Sequence, residues 1–258
     1  MSKSRFSNKQ QGQTQANSPS SVMVRHVMPS QINQSGVVSD LQVLLDENER
    51  QRMSRFMQPK QRHAYLVSHG LKRLLLAERL GCEPSELTFK ATDKGKPFVD
   101  YPTGIDPQKT WHFNLSHTED QVAVALSQQP VGIDVENTSR RLPDLDLAKR
   151  YFSSEEYDRL VACEPAQRGL LFLKHWTLKE AYLKAEGWGL STRMDAFMFN
   201  FTDPTDRITL EVLDPAGAPS RPWHFWQKTL APRFLLSLAF ATQEPLTDAL
   251  IDCQPWQP

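Results

Sequence analysis

Cysteine is scarce in this chain: three residues in 258, Cys82, Cys163 and Cys253. They are far apart and none stands in a CxxC pair. Neither a disulfide framework nor a zinc site is indicated, and a reducing, cytoplasmic setting is expected. Net charge is missing too, because 30 Lys and Arg offset 30 Asp and Glu. A neutral chain has no broad field to draw nucleic acid or an anionic membrane surface, so neither partner is expected and any anion site must be built locally. No run approaches the ~20 apolar residues of a membrane-spanning helix. The GxxxxGK[ST] phosphate loop is absent as well. Residues 1–20 lack the apolar core of a signal peptide and are rich in Gln, Ser and Asn, which predicts a disordered tail.

What is present is a rhyme between two halves. The first runs Arg55-Phe56, a helical segment, Gly95-Lys96-Pro97, Trp111-His112-Phe113 and the apolar run 122–126. The second runs Arg150-Tyr151-Phe152, a helical segment, Gly187-Trp188-Gly189, Trp223-His224-Phe225 and the apolar run 235–240. Shared order predicts an internal duplication: an α+β chain of two similar, pseudo-symmetric lobes with a cleft between them, residues 21–128 and 129–258, linked near 127–130. Each lobe is expected to be a small, mostly antiparallel sheet packed with helices. Helical spacing predicts a helix over 63–80 closed by Gly81, a second opening at Ser153 with an acidic first turn, and a third over 170–186 closed by Gly187. Apolar and β-branched runs predict strands at 122–126, 131–136, 208–213 and 234–240.

Four segments carry chemistry. In Val131-Gly-Ile-Asp-Val-Glu136 the strand period puts Asp134 and Glu136 on one face, roughly 6–7 Å apart along the chain. Two such acids suit a hard cation, although an alternating strand with its polar face in water reads the same way. In the helix 170–186, Glu180 sits among apolar residues and so needs a partner or a function. An ordinary pair with Lys184 one turn on is the alternative, and Lys179 and Lys184 both frame this acid and could face phosphates. Ser116 and His117, in Phe113-Asn-Leu-Ser-His117, follow an aromatic strand and could bind a phosphate or ribose, or simply sit in a turn. Lys94-Gly-Lys-Pro97 offers close backbone approach at Gly95 and a point charge at Lys96, or merely a solvated turn.

Taken in order, KGKPF, FNLSH, VGIDVE and WTLKEAYLKAEGWGL resemble the signature of the Sfp-type 4′-phosphopantetheinyl transferase family, over about residues 50–200. The resemblance implies a two-lobed α+β fold and transfer of the phosphopantetheine arm of coenzyme A to a serine of an apo acyl or peptidyl carrier protein, with Mg²⁺ and release of 3′,5′-ADP. It implies Asp134, Glu136 and Glu180 as metal ligands, Glu180 as general base, and Lys184 beside the pyrophosphate. Lys96, Ser116 and His117 match coenzyme A contacts. Arg52 falls where the family places a contact to the 3′-phosphate, with Arg50 a near competitor, and Arg73 lies on the matching helix. Trp188 departs from the family, which often has Lys there. The helix after Arg150 and the loop 187–193 are implied as the carrier-facing surface, and a monomer is expected. A metal-dependent phosphohydrolase and a coenzyme A-binding protein without transfer are the rival readings.

Overall fold

A computed structural model describes residues 21–101, 110–139, 145–189, 192–202, 207–214, 221–242 and 250–258. The expected tail 1–20, and residues 190–191 of the loop 187–193, lie outside them. In chain order the elements are β1 (Val22–Val27), α1 (Ser35–Leu44), α2 (Glu47–Ser54), α3 (Pro59–Leu80), β2 (Phe89–Ala91), β3 (Pro97–Val99), β4 (His112–Thr118), β5 (Gln121–Ser127), β6 (Val131–Asn137), α4 (Leu145–Tyr151), α5 (Ser154–Ala162), α6 (Pro165–Glu186), β7 (Phe197–Thr202), β8 (Arg207–Val212), β9 (Trp223–Leu230), β10 (Phe234–Ala241) and β11 (Ile251–Pro255). The chain is α+β, with small sheets that are mostly antiparallel.

Among the described residues, two compact units form. The first draws on Met1–Lys90, Phe98–Gln128 and Thr247–Pro258, the second on Ala91–Pro97 and Gln129–Leu246. Each is built on one helix of 22 residues, α3 and α6. Both start with proline in the first turn, where its missing N–H is no loss, and both stop at a left-handed glycine: Gly81 at φ 66° and Gly187 at φ 73°. Both begin earlier than apolar spacing predicts, because their first turns are polar.

In the first unit the sheet order is β11-β1-β5-β4, and α1, α2 and α3 complete the unit. Leu41, Leu71, Leu76, Val124 and Leu126, all fully buried, centre its core. Residues 250–258, expected in the second half, return to this unit: β11 lies parallel to β1, and Arg25 bridges to Asp252 at 2.8 Å. In the second unit the order is β6-β10-β9, and α6 packs on β6 and β10. Tyr182 sits in its aromatic centre, edge-on to Phe197, Trp223 and Phe225.

Both units set a 22-residue helix on a sheet, but the rhyme paired some segments wrongly. The two Trp-His-Phe motifs do enter equivalent strands, β4 and β9. Gly95, however, lies in the β2–β3 turn, and the counterpart of Gly187 is Gly81. Arg55-Phe56 follows α2, whereas Arg150-Tyr151-Phe152 precedes α5.

Candidate active site

β6 owes its placement to a missing side chain. A Cβ on Gly132 would lie 2.0 Å from the Ala181 carbonyl oxygen and 2.4 Å from the Ala185 nitrogen, so the backbone of α6 rests directly on the strand there. Gly132, Asp134 and Glu136 share one face by strand period, and that face is therefore the one turned to α6. Asp134 is 5% exposed. The reading of this strand as a solvated alternating one thus fails.

Lys184 of α6 reaches back to the strand and donates to Asp134 Oδ1 at 2.6 Å. One turn earlier on the helix, Glu180 has its Oε1 buried with no hydrogen-bond partner among the described residues. Burial, and then the negative charge of Asp134, push the Glu180 carboxyl up to about 7; Glu136 adds to the push and Lys184 opposes it. Asp134 and Glu136 thus face the helix that carries Glu180, with the Lys184 ammonium on Asp134. All lie in the second unit.

An all-oxygen, hard donor set of this kind suits Mg²⁺, and a buried carboxylate oxygen lacking a donor suits it further. Among the described residues no three acids or histidines converge into a ready-made cage. Mg²⁺ does not need one, since it keeps several waters and takes only one or two carboxylates plus substrate phosphates.

The other expected site residues fall in different places. Lys96 belongs with the second unit: its ammonium donates to the Ala185 carbonyl at the end of α6 and, at 3.4 Å, to that of Val131. Burial holds this ammonium down at about 8, with Arg221 adding to the effect and Glu186 opposing it. Arg52 is exposed on the last turn of α2, in the first unit. Ser116 and His117 lie within β4 rather than after it, so their side chains alternate, Ser116 buried and His117 exposed.

Two basic residues need correction. Arg73 is fully buried, donating to Glu49 at 2.7 Å and to the Pro84 and Leu87 carbonyls at 3.0 and 2.9 Å, and pairing with Asp46. Four of its five N–H groups are held within the first unit and the side chain has no exposed surface, so it is a structural residue rather than a coenzyme A contact. Lys179 is likewise fully buried and ties α6 to the entry of β7 through the Met194 and Phe197 carbonyls at 2.7 and 2.6 Å, so it faces no phosphate.

A model of the 4′-phosphopantetheinyl transferase superfamily matches residues 130–241, and one of the 4′-phosphopantetheinyl transferase N-terminal region matches residues 33–129. A 4′-phosphopantetheinyl transferase of Bacillus subtilis is 30% identical over 70% of this chain and 76% of its own length. The chain belongs to the 4′-phosphopantetheinyl transferase superfamily. It is a transferase enzyme of the Sfp type. Sfp of Bacillus subtilis strain 168 is 32% identical over 63% of this chain and 73% of its own. HetI of Nostoc is 35% identical over 60% of this chain and 64% of its own. The two family models meet at residues 129 and 130, beside the point where the second unit begins.

Sequence reasoning missed Gly132, whose signal was a glycine inside a strand. It also missed the buried Thr177 and Ser237 and the half-buried Gln227, which carried no motif to mark them. Among the described residues no helix is long and apolar enough to cross a membrane.

Proposed function

We propose that this chain moves the 4′-phosphopantetheine arm of coenzyme A to a serine of an apo carrier protein, releasing 3′,5′-ADP. The observation that carries the proposal is the apposition of Asp134 and Glu136 on β6 with Glu180 and Lys184 on α6, in a chain of this superfamily. In the balanced step, the carrier serine oxygen bonds to the β-phosphorus of coenzyme A. The bond from that phosphorus to the bridging oxygen breaks, and 3′,5′-ADP leaves with it. The serine proton passes to Glu180.

Asp134, Glu136 and Glu180 are the residues that would hold Mg²⁺, which when bound supplies charge neutralisation at the pyrophosphate. Lys184 adds a second positive charge beside Asp134. Lys96, Ser116, His117 and Arg52 are assigned to coenzyme A by their match to the family's motifs. Because the nucleophile comes from the carrier, the chain needs no activated serine of its own, which suits Ser116 and His117 lying on opposite faces of β4. We read the enzyme as monomeric and cytoplasmic. Its three cysteines are all free, which supports the second part of that reading.

The test is incubation with coenzyme A, Mg²⁺ and a panel of apo carriers, read by intact mass. Gain of the arm by at least one carrier is expected. Hydrolysis of coenzyme A with no carrier gaining mass would instead favour a phosphohydrolase and overturn the proposal.

A further inference from the structure

A polar row crosses the sheet of the second unit and interrupts the otherwise apolar strand β10. Asp134 on β6 is paired directly opposite Ser237 on β10, and Ser237 directly opposite Gln227 on β9. Directly paired residues share a face, so all three turn towards α6. The neighbours on β10 are Leu235, Leu236 and Leu238, and Ser237 itself is fully buried.

Over this row sits Thr177 of α6, also fully buried, its hydroxyl 2.6 Å from that of Ser237. Hydrogen-bond supply gives the network a direction. The Thr177 hydroxyl donates to the Leu173 carbonyl at 2.8 Å, so its oxygen must accept from Ser237. Ser237 in turn accepts from Gln227 Nε2 at 2.8 Å, and the same nitrogen donates to the Lys174 carbonyl at 2.8 Å. Each buried hydroxyl is thus both donor and acceptor.

Apolar packing between a helix and a sheet tolerates small sliding, whereas a directed hydrogen bond fixes height. Glu180 follows Thr177 by one helical turn, and Asp134 adjoins Ser237 by one strand spacing. We infer that Thr177, Ser237 and Gln227 are positioning residues that set the height of Glu180 against Asp134, and thereby the affinity of the acid group for a divalent cation.

The inference rests on the metal reading above, and its test separates the two. Mn²⁺, a paramagnetic probe for oxygen-rich sites, is titrated into the full chain without coenzyme A and followed by electron paramagnetic resonance. The Mg²⁺ concentration giving half-maximal turnover is measured alongside. Thr177→Val keeps shape and removes the hydroxyl; Thr177→Ser keeps the hydroxyl. Thr177→Val and Ser237→Ala are expected to weaken Mn²⁺ binding about 10- to 100-fold, the usual range when support behind a ligand is lost, and to raise the Mg²⁺ requirement in parallel. Thr177→Ser should bind near the wild-type level. Glu49→Gln, which weakens the first unit, should lower the melting temperature without changing Mn²⁺ affinity. A Thr177→Val chain with wild-type Mn²⁺ affinity overturns the positioning role whatever its melting temperature. A wild-type chain that binds no Mn²⁺ overturns the metal reading itself, and this inference with it.

Discussion

The two units share a scaffold down to their buried charges, yet among the described residues only one carries the acid group. In the first, Asp46 caps α2 and Glu49 closes a capping box; in the second, Ser153 caps α5 and Glu156 closes the same box. Glu49 lies 2.9 Å from His69 Nδ1 and accepts from Lys72 at 2.6 Å and Arg73 at 2.7 Å. Glu156 lies 3.1 Å from His175 Nδ1 and pairs with Lys179 at 2.8 Å. The histidines are the eleventh residues of α3 and α6, and Arg73 and Lys179 the fifteenth. At the sixteenth and twentieth positions the helices part: Leu74 and Glu78 stand in the first, Glu180 and Lys184 in the second. The fourth residue of β1 is Arg25, that of β6 Asp134. Shared residues therefore build the fold, while the unshared ones are those we propose for the chemistry. A buried charge is retained in both copies where it locks a helix, and an uncompensated acid appears where a ligand would complete it.

Substitutions can break this comparison, and the largest effect should fall on the unshared positions. Glu180→Gln is expected to lower the carrier-loading rate by about 10²–10⁴-fold, the range for a lost general base, with the melting temperature little changed. Rate and thermal melt on the same preparation check it; a stability loss matching that of the shared residues would erase the distinction. Next come the two nodes. Glu49→Ala and Glu156→Ala each strand buried cations and should each destabilise by about 3–5 kcal/mol, measured by urea unfolding. A large cost in only one unit would mean that the nodes are not equivalent.

Acid pH sharpens the same point. Burial alone would raise the Glu156 carboxyl, but the His175 hydrogen bond and the Lys179 charge outweigh it and hold it at about 2, below the ordinary 4.5. A folded-state value below the unfolded one means stability that is complete above about 4.5 and drains away as pH falls towards about 2. Glu156→Gln should flatten the loss of stability across that window, as read by unfolding at stepped pH. The Glu49 carboxyl is lowered as well, burial being outweighed by its bonds to His69 and Lys72 and the charge of Arg73, so Glu49→Gln should act in the same direction. The smallest effect belongs to the helix stops. Gly81→Ala and Gly187→Ala force a side chain into a left-handed residue, at about 1–2 kcal/mol each. Gly187→Ala should be slightly the worse, because its Cβ would meet Lys96 at 3.1 Å while that of Gly81 meets nothing.

Much of the fold was legible because periodicity reports the long elements: β5, β6, β10 and the bodies of α3 and α6 stand where apolar spacing put them. The strand β1 and the short helices α1 and α2 were not read, since a few residues of mixed polarity give no period. The return of β11 to the first sheet is a long-range pairing, which no local pattern encodes. The acid group was legible as residue types in order, while its support was not. Gly132 matters for what its Cβ would strike, and Thr177 and Ser237 for what their hydroxyls reach, which are facts of packing. Arg73 and Lys179 misled because a basic residue on an amphipathic helix looks the same whether it faces phosphate or a buried glutamate.

The most direct measurement of the central claim is the intact mass of an apo carrier after incubation with coenzyme A and Mg²⁺, using wild-type enzyme and Asp134→Ala side by side. The account predicts full arm addition by the first and loss of nearly all of it by the second. Loading by Asp134→Ala at the wild-type rate would contradict it.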